Sequence, residues 1–429
     1  LSEDIIERVE DISLDPNVQQ KGQETRVNVL TNGVVLIMAI ACGLSVANLY
    51  YVQPILANMA QGFSVSVGQI GFVNTIGQIG YACGLLFIVP LGDRYNQRSL
   101  IVFMLGAVTV ALAFMALAPT VSILGIASLL VGLTTVVPQL IIPYAAHLAP
   151  AEKRGNVVGT VMSGLLIGIL LARTVSGIIA AAWGWRAMYW IAAVVMVLLA
   201  IVLRFLLPND TVEKKGMSYP QLMQSLWHLW REEPVLREGS AFGALAFAAF
   251  SAFWAMLSFF LATPPYHFGS EVAGLFGLVG VAGALAASFV GRFADRRDAR
   301  YANGIALAIV LVSFVLMWIG GQFLAGLIVG VILLDLGTQA NQVANQARVY
   351  SLRPEARSRL NTVYMTIYFV GGSIGSLAGT YGWSIAKWNG VSFVSCAFLV
   401  IGLIFYFANA PRMKRWKAEK AARANQQAL

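Results

Sequence analysis

The sequence predicts an all-α membrane fold in which twelve transmembrane helices form two pseudo-symmetric six-helix bundles. Three observations carry that expectation. Apolar residues make up 58% of the 429 and charged residues 11%, against about a quarter charged in an ordinary soluble protein. The apolar residues are gathered into a dozen runs, most of them about 20 residues long, the length that crosses a hydrocarbon core of about 30 Å. A charged loop motif then recurs about halfway along the chain. Closed β-strands are excluded because strict two-residue alternation is absent and the runs are too long.

Reading apolar runs against polar breaks places spans near 29–54, 66–90, 99–118, 121–147, 156–182 and 187–207. Six more fall near 239–265, 272–291, 301–318, 322–348, 360–386 and 390–410. The domain reading follows: a cytoplasmic N-tail over 1–28, an N-terminal six-helix bundle over 29–207 and a linker over 208–238. A C-terminal bundle over 239–410 and a basic C-tail over 411–429 complete it. Within the linker, Leu222, Leu226, Leu229 and Trp230 fall at helical spacing with polar residues between. That pattern predicts an interfacial amphipathic helix on the cytoplasmic surface.

The formal charge of +9 does not point to nucleic acid, because the basic residues sit in short loops and tails and build no soluble basic face. All but three of the 29 (Arg173, Arg186 and Lys387) belong to the tails, the central stretch or the connections after even-numbered spans. This asymmetry predicts both termini in the cytoplasm and hence an even number of spans. Residues 1 to 26 are polar and acidic, unlike the basic-then-apolar start of a signal peptide. Cys42, Cys83 and Cys396 lie inside apolar runs, which argues for packing and against a disulfide framework or thiolate metal site. His147, His228 and His267 are scattered and make no metal-like spacing.

The repeat is specific. Pro90-Leu-Gly-Asp-Arg-Tyr-Asn-Gln-Arg98 follows the second run, and Gly291-Arg-Phe-Ala-Asp-Arg-Arg-Asp-Ala-Arg300 follows the eighth, with Asp93 and Asp295 202 residues apart. Pro150-Ala-Glu-Lys-Arg-Gly-Asn156 and Pro354-Glu-Ala-Arg-Ser-Arg-Leu-Asn361 repeat at about the same offset. Matched signals in corresponding loops imply a duplicated six-helix unit.

On these motifs the chain resembles the major facilitator superfamily over all twelve spans. The family's loop signature is Gly-x-x-x-Asp-Arg/Lys-x-Gly-Arg-Arg/Lys. The first copy keeps Asp93, Arg94 and Arg98, with Val89 and Asn96 at the glycine positions; the second keeps Gly291, Asp295, Arg296 and Arg300. The resemblance implies that these residues form a breakable charge-paired latch favouring an outward-open state. The fifth span is similar to the signature of twelve-helix drug/proton antiporters, Gly-x8-Gly-x3-Gly-Pro-x2-Gly-Gly. Gly159, Gly168, Ala172, Ser176 and Gly177 hold its small positions, and Arg173 stands where that group has proline. Small residues at this spacing allow close helix approach, which suits the seam between the halves.

Ionisable residues deep in a membrane are functional candidates, and Arg173 and Asp335 are the two deepest. After Asp335 come Thr338, Gln339, Gln342, Asn345 and Gln346, a polar stripe at helical steps. The resemblance implies that the first, fourth, seventh and tenth spans line a central cavity, so this stripe is expected to face water and substrate. Two readings of Asp335 stay open and are compatible: a carboxyl group that takes up and releases a proton during transport, or a permanently ionised partner of Arg173. Further cavity candidates are Asn48, Tyr51 and Gln53 in the first span, and Asn74, Gln78 and Tyr81 on one face of the second. The fourth span adds Gln139 and Tyr144, with Pro138 and Pro143 bending it; the seventh adds Trp254, Ser258 and Phe259. Tyr364 and Tyr368 come from the eleventh.

The resemblance therefore implies a multi-pass transporter of a bacterial inner membrane, driven by a proton gradient, with no cofactor and no metal. Its expected partners are a small-molecule substrate, protons and membrane lipids, with no nucleic acid, and it is expected to be monomeric. Proton-coupled export of small amphiphilic compounds, such as drugs or metabolites, is the expected activity, with proton-coupled uptake as the alternative. No Ser-His-Asp set, His/Glu metal motif or phosphate-binding glycine loop suggests an enzyme.

Overall fold

Hydroxyl and amide caps mark where the apolar runs become helices. A computed structural model describes residues 31–150, 152–208, 217–294, 299–353 and 356–416, with backbone alone over 284–294. Thr31 caps α1 (Asn32–Ala47) through a bond from the Val34 amide. After a break at Asn48–Tyr51 comes α2 (Val52–Phe63), so the first span runs nine residues beyond its expected end at 54. Ser66 and Gln69 form a capping box on α3 (Val67–Phe87), which a 3₁₀ turn at Val89–Asp93 follows. Asn96 caps α4 (Gln97–Leu117), and Thr120 caps α5 (Val121–Thr134). The fourth span is broken at Thr135–Val136 before α6 (Val137–Leu148), where Pro138 supplies a residue that needs no intrahelical donor. The first half closes with α7 (Arg154–Trp183) and α8 (Trp185–Leu206), joined at Gly184, whose φ of 81° an L side chain rarely adopts.

The second half holds α10 (Pro234–Ala262), α11 (Ser270–Ala294), α12 (Ala299–Gly320), α13 (Leu324–Tyr350) and α14 (Arg357–Ala408). Its first helix starts at Pro234, five residues before the expected boundary, because Pro at a helix start is favoured. Among the described residues, ten helical stretches are long and apolar enough to cross a membrane. One of them, α14, is two passes joined at Ala386 and Lys387, where the dihedrals leave the helical region. Counting α11, whose apolar part over Ser270–Gly283 is shorter, the arrangement fits twelve passes, and among the described residues every regular element is helical.

Between the halves lies α9 (Tyr219–Glu232), the expected amphipathic helix, but its stripe does not face lipid. Leu222, Leu226 and Leu229 are buried, and Trp230 packs on the same core. The Tyr219 hydroxyl donates to the Phe87 carbonyl at 3.1 Å, so α9 docks on the bundle by its apolar side. The expected N-tail, most of the C-tail, and Asp295 and Arg296 of the second loop motif lie outside the described residues.

The repeat is visible as duplicated contacts. Arg98 donates to the Arg204 carbonyl, and Arg300, 202 residues later, donates to the Tyr406 carbonyl, also 202 residues later. Each loop-motif arginine thus closes the end of the last helix in its own half, satisfying a carbonyl that has no intrahelical donor. Arg300 also reaches Glu238 at 3.1 Å. Glu238 is fully buried, pairs with Arg348 as well, and accepts from Asn409 Nδ2 at 3.2 Å. One carboxylate therefore ties α10 to α12, α13 and the end of α14.

Within each half, helices meet backbone to backbone. A Cβ on Gly168 would stand 2.3 Å from the Gly43 Cα, and one on Gly375 would stand 2.0 Å from the Ala248 carbonyl oxygen. Gly375→Val should therefore force α10 and α14 apart at a cost of about 1–3 kcal/mol, read as a lower Tm of the purified protein. Gly159 has open space around its Cβ position, so Gly159→Ala should be neutral or stabilising by up to about 1 kcal/mol. Glu238→Gln leaves two largely buried guanidinium groups without their counter-charge; a loss of about 3–5 kcal/mol in unfolding measurements is the expected result.

Candidate functional site

Close helix contact builds the site. In α11, Gly274, Gly277, Gly280 and Gly283 recur every third residue, so one face has no side chains. A Cβ on Gly277 would lie 3.0 Å from the Arg173 Cβ, and one on Gly280 would lie 2.9 Å from Asp335 Oδ2. The ladder thus brings α7 and α13 against α11, with Arg173 and Asp335 at neighbouring rungs. Any larger residue there would push one of the two charges away.

Both are almost wholly removed from solvent, Arg173 at 0% exposure and Asp335 at 1%. The Arg173 Nε donates to Gln53 Oε1 at 2.7 Å. Its guanidinium lies 4.0 Å from the Trp254 ring centroid, 4.9 Å from that of Tyr50 and 5.6 Å from that of Phe250. A desolvated cation–π contact is worth up to about 2 kcal/mol, whereas burying an ion costs several kcal/mol even after relaxation. Rings and one amide thus offset part of that penalty. Nη1, Nη2 and Asp335 Oδ2 have no hydrogen-bond partner. Arg173 and Asp335 act on each other electrostatically, yet among the described residues no ion pair within 4.0 Å joins them.

The structure divides the other candidates into groups. Trp254 borders Arg173, Ser258 lies one turn further along α10, and the Trp254 indole N–H and the Ser258 hydroxyl have no partner. Thr338 carries a buried hydroxyl in the same condition, while the buried Tyr364 hydroxyl faces Asn345. Tyr368 stacks on Phe247 at 4.0 Å between centroids, and Tyr81 meets Phe369 edge-on at 4.5 Å, a ring contact between the two halves. Gln339 and Gln342 are half-buried beyond these rings, toward the end of the bundle that bears the arginine-rich loops. Gln139 also stands at that end, 3.5 Å from the Tyr81 hydroxyl and 3.4 Å from Asn361 Nδ2. Tyr81, Phe247, Tyr368 and Phe369 thus form one ring cluster that spans the two halves.

The far side is closed by a polar seam. Asn74 Nδ2 donates to Ser376 Oγ at 2.8 Å, and Ser251 Oγ donates to Gln78 Oε1 at 3.4 Å. Thr174 Oγ1 donates to the Gly274 carbonyl at 2.9 Å, and Ser270 Oγ to the Gly177 carbonyl at 3.2 Å. Asn74 and Gln78 therefore hold the halves together in this state. The fifth-span signature, expected at the seam as a unit, is split: Gly177 meets α11, Gly168 meets α1, and Gly159 meets nothing within 4 Å. Ala172 is buried, and Ser176 Oγ donates to the Tyr51 carbonyl at 2.6 Å, so both pack inside the first half.

Two candidates sit away from the pair. Tyr144 donates to the Pro208 carbonyl at 2.6 Å, tethering α6 to the start of the linker. Asn48 Nδ2 reaches Met196 Sδ at 3.4 Å and borders a small hollow inside the first half. Of the loop-motif residues, Asp93 and Arg94 are exposed and Arg98 is half-buried. Tyr50, Phe250 and the α11 glycine ladder were not singled out in the sequence. The ladder had a legible signal in its three-residue spacing; the rings had none, because only the fold shows which aromatics meet a cation.

Comparison with known proteins agrees with this architecture. The family model described as Major Facilitator Superfamily matches residues 38–347 and 272–428. The uncharacterised transporter YgaY of Escherichia coli (strain K12) is 40% identical over 385 residues, covering 90% of this chain and 98% of that protein. A probable transporter of Streptomyces coelicolor is 32% identical, covering 85% of each. Among solved structures, the nucleoside transporter NupG superposes with a TM-score of 0.70 at 14% identity, covering 88% of this chain and 99% of that one. A bacterial homologue of the human lysosomal transporter Spinster gives 0.69 at 15%, covering 87% and 96%. The chain is a multi-pass membrane transporter protein and belongs to the Major Facilitator Superfamily.

Proposed function

We propose that the chain is a proton-coupled secondary transporter working by alternating access, exporting small amphiphilic organic compounds in exchange for protons. Asp335 is the proton carrier in this reading, and the observation that carries it is a buried carboxylate whose Oδ2 has no hydrogen-bond partner. A carboxylate with a purely structural role is normally satisfied, as Glu238 is. The polar seam on one side and the ring cluster on the other support a state in which the pair is closed off from both faces, in keeping with alternating access. Asp93, Arg94 and Arg98 are the latch residues of the first half in this reading. Export follows the resemblance of the fifth span to drug/proton antiporters. Uptake by symport is the second reading, and Arg173 in place of proline favours it, because a cation beside Asp335 gives substrate and carboxylate a common partner.

Transport in proteoliposomes with an imposed pH gradient tests the coupling. Asp335→Asn should abolish gradient-driven accumulation while leaving substrate binding in place; unchanged accumulation would sink the proposal. Direction follows from linkage. Antiport requires proton and substrate to exclude each other, so affinity should fall as pH falls. Symport requires them to reinforce each other, so affinity should rise. Direct binding measured between pH 5.5 and pH 8.5 (roughly the span over which histidine and perturbed carboxyl groups titrate) separates the two.

A further inference from the structure

We infer that the substrate is an organic anion whose carboxylate, or an oxyanion of like geometry, docks on the edge of Arg173. This rests on the reading of Arg173 and Asp335 as the transport site. A guanidinium presents five N–H donors in one plane. Gln53 takes the Nε donor at 2.7 Å, and the four on Nη1 and Nη2 meet no acceptor. Trp254 at 4.0 Å, Tyr50 at 4.9 Å and Phe250 at 5.6 Å contact its π-surface and supply no oxygen to its edge. The neighbouring Trp254 indole N–H is a further donor without a partner.

The site is therefore rich in donors and short of an acceptor. Asp335 Oδ2 is an unpaired acceptor, but it forms no ion pair with Arg173 within 4.0 Å. Two oxygens in a fork match the free Nη edge better than any other chemistry. A cationic ligand would meet the charge of Arg173, and a neutral one would leave its N–H groups bare. The rings around the guanidinium suit a flat apolar body attached to the carboxylate.

The charged and titratable groups around Asp335 define the consequence. Arg173 faces it from α7 and Tyr368 from α14, with Tyr50 beyond at the α1–α2 break. The ladder of α11 presents glycines, and α12 meets α13 through Ala306 and Val310 at Gly337. The residues of α10 recorded against Arg173 are the uncharged Phe250 and Trp254. An anion on Arg173 shares that cation with Asp335, so occupancy of the site and the protonation of Asp335 are coupled, and the pH series set out above reads the sign of that coupling.

The test is direct binding to the purified full chain, followed by Trp fluorescence or calorimetry, using phenylacetate, 4-phenylbutyrate, their amides and the matching amines. The acids should bind at least ten-fold more tightly than the amides. Arg173→Gln should erase that ratio in a protein that still melts cooperatively, and Arg173→Lys should keep part of it. If Arg173→Gln does not fold, Trp254→Phe, which keeps a ring and removes the N–H, should weaken acid binding several-fold more than amide binding. Amides or amines binding as well as the acids, no acid binding at all, or an unchanged preference in a folded Arg173→Gln would each overturn the inference. The two proposals fail separately. Asp335→Asn abolishing accumulation while amines are preferred removes the anion and keeps the coupling; acid preference with Asp335→Asn still accumulating does the reverse.

Discussion

A guanidinium sealed in the middle of a membrane bundle without a carboxylate in contact is the constraint on which this structure turns. Burying it is costly, and the fold answers with weak, partial compensation: rings over its π-surface and one glutamine on Nε. A residue that served only to hold helices together would be better replaced by an apolar side chain of similar volume. The second-half cluster around Glu238 shows what a satisfied arrangement looks like here, with two arginines and an asparagine on one carboxylate. Arg173 and Asp335 are built differently, close enough to feel each other and left unpaired.

The α11 glycine ladder makes that arrangement possible. Without side chains on one face, the helix lets backbones approach to the point where added Cβ atoms would touch Arg173 on one rung and Asp335 on the next. The same device recurs inside each half, where Gly43 and Gly168, or Gly375 and Ala248, meet directly. Association in a bilayer has little hydrophobic drive, so close packing of small residues carries much of it. Rigid halves, joined by a polar seam on one side and a few rings on the other, are what a rocking motion requires, on the reading that the chain works by alternating access.

Much of this was legible in the sequence. Composition and run length gave the spans, because hydrocarbon thickness fixes both. The loop motif gave the duplication, and its arginines carry the same carbonyl contact in each half. The rarity of charge in the spans pointed to Arg173 and Asp335. What could not be read depends on which surfaces meet. Asn74 and Gln78 bond across the seam in this state, Tyr144 also tethers the linker, and the stripe of α9 turns toward protein. Polarity and periodicity identify a face; they do not say what covers it. Glu238 escaped notice because a glutamate near a helix start looks like an ordinary loop charge until its two arginines, from distant parts of the chain, arrive beside it.

The central claim is that Arg173 and Asp335 act as one unit, and a double-mutant cycle measures it. Gradient-driven transport and thermal unfolding would be recorded for Arg173→Ala, Asp335→Asn and the combination. Coupling predicts a double variant less impaired than the sum of the two, by about 1 kcal/mol or more in unfolding free energy. Strict additivity in both measurements would contradict the account, leaving two buried charges that happen to be neighbours.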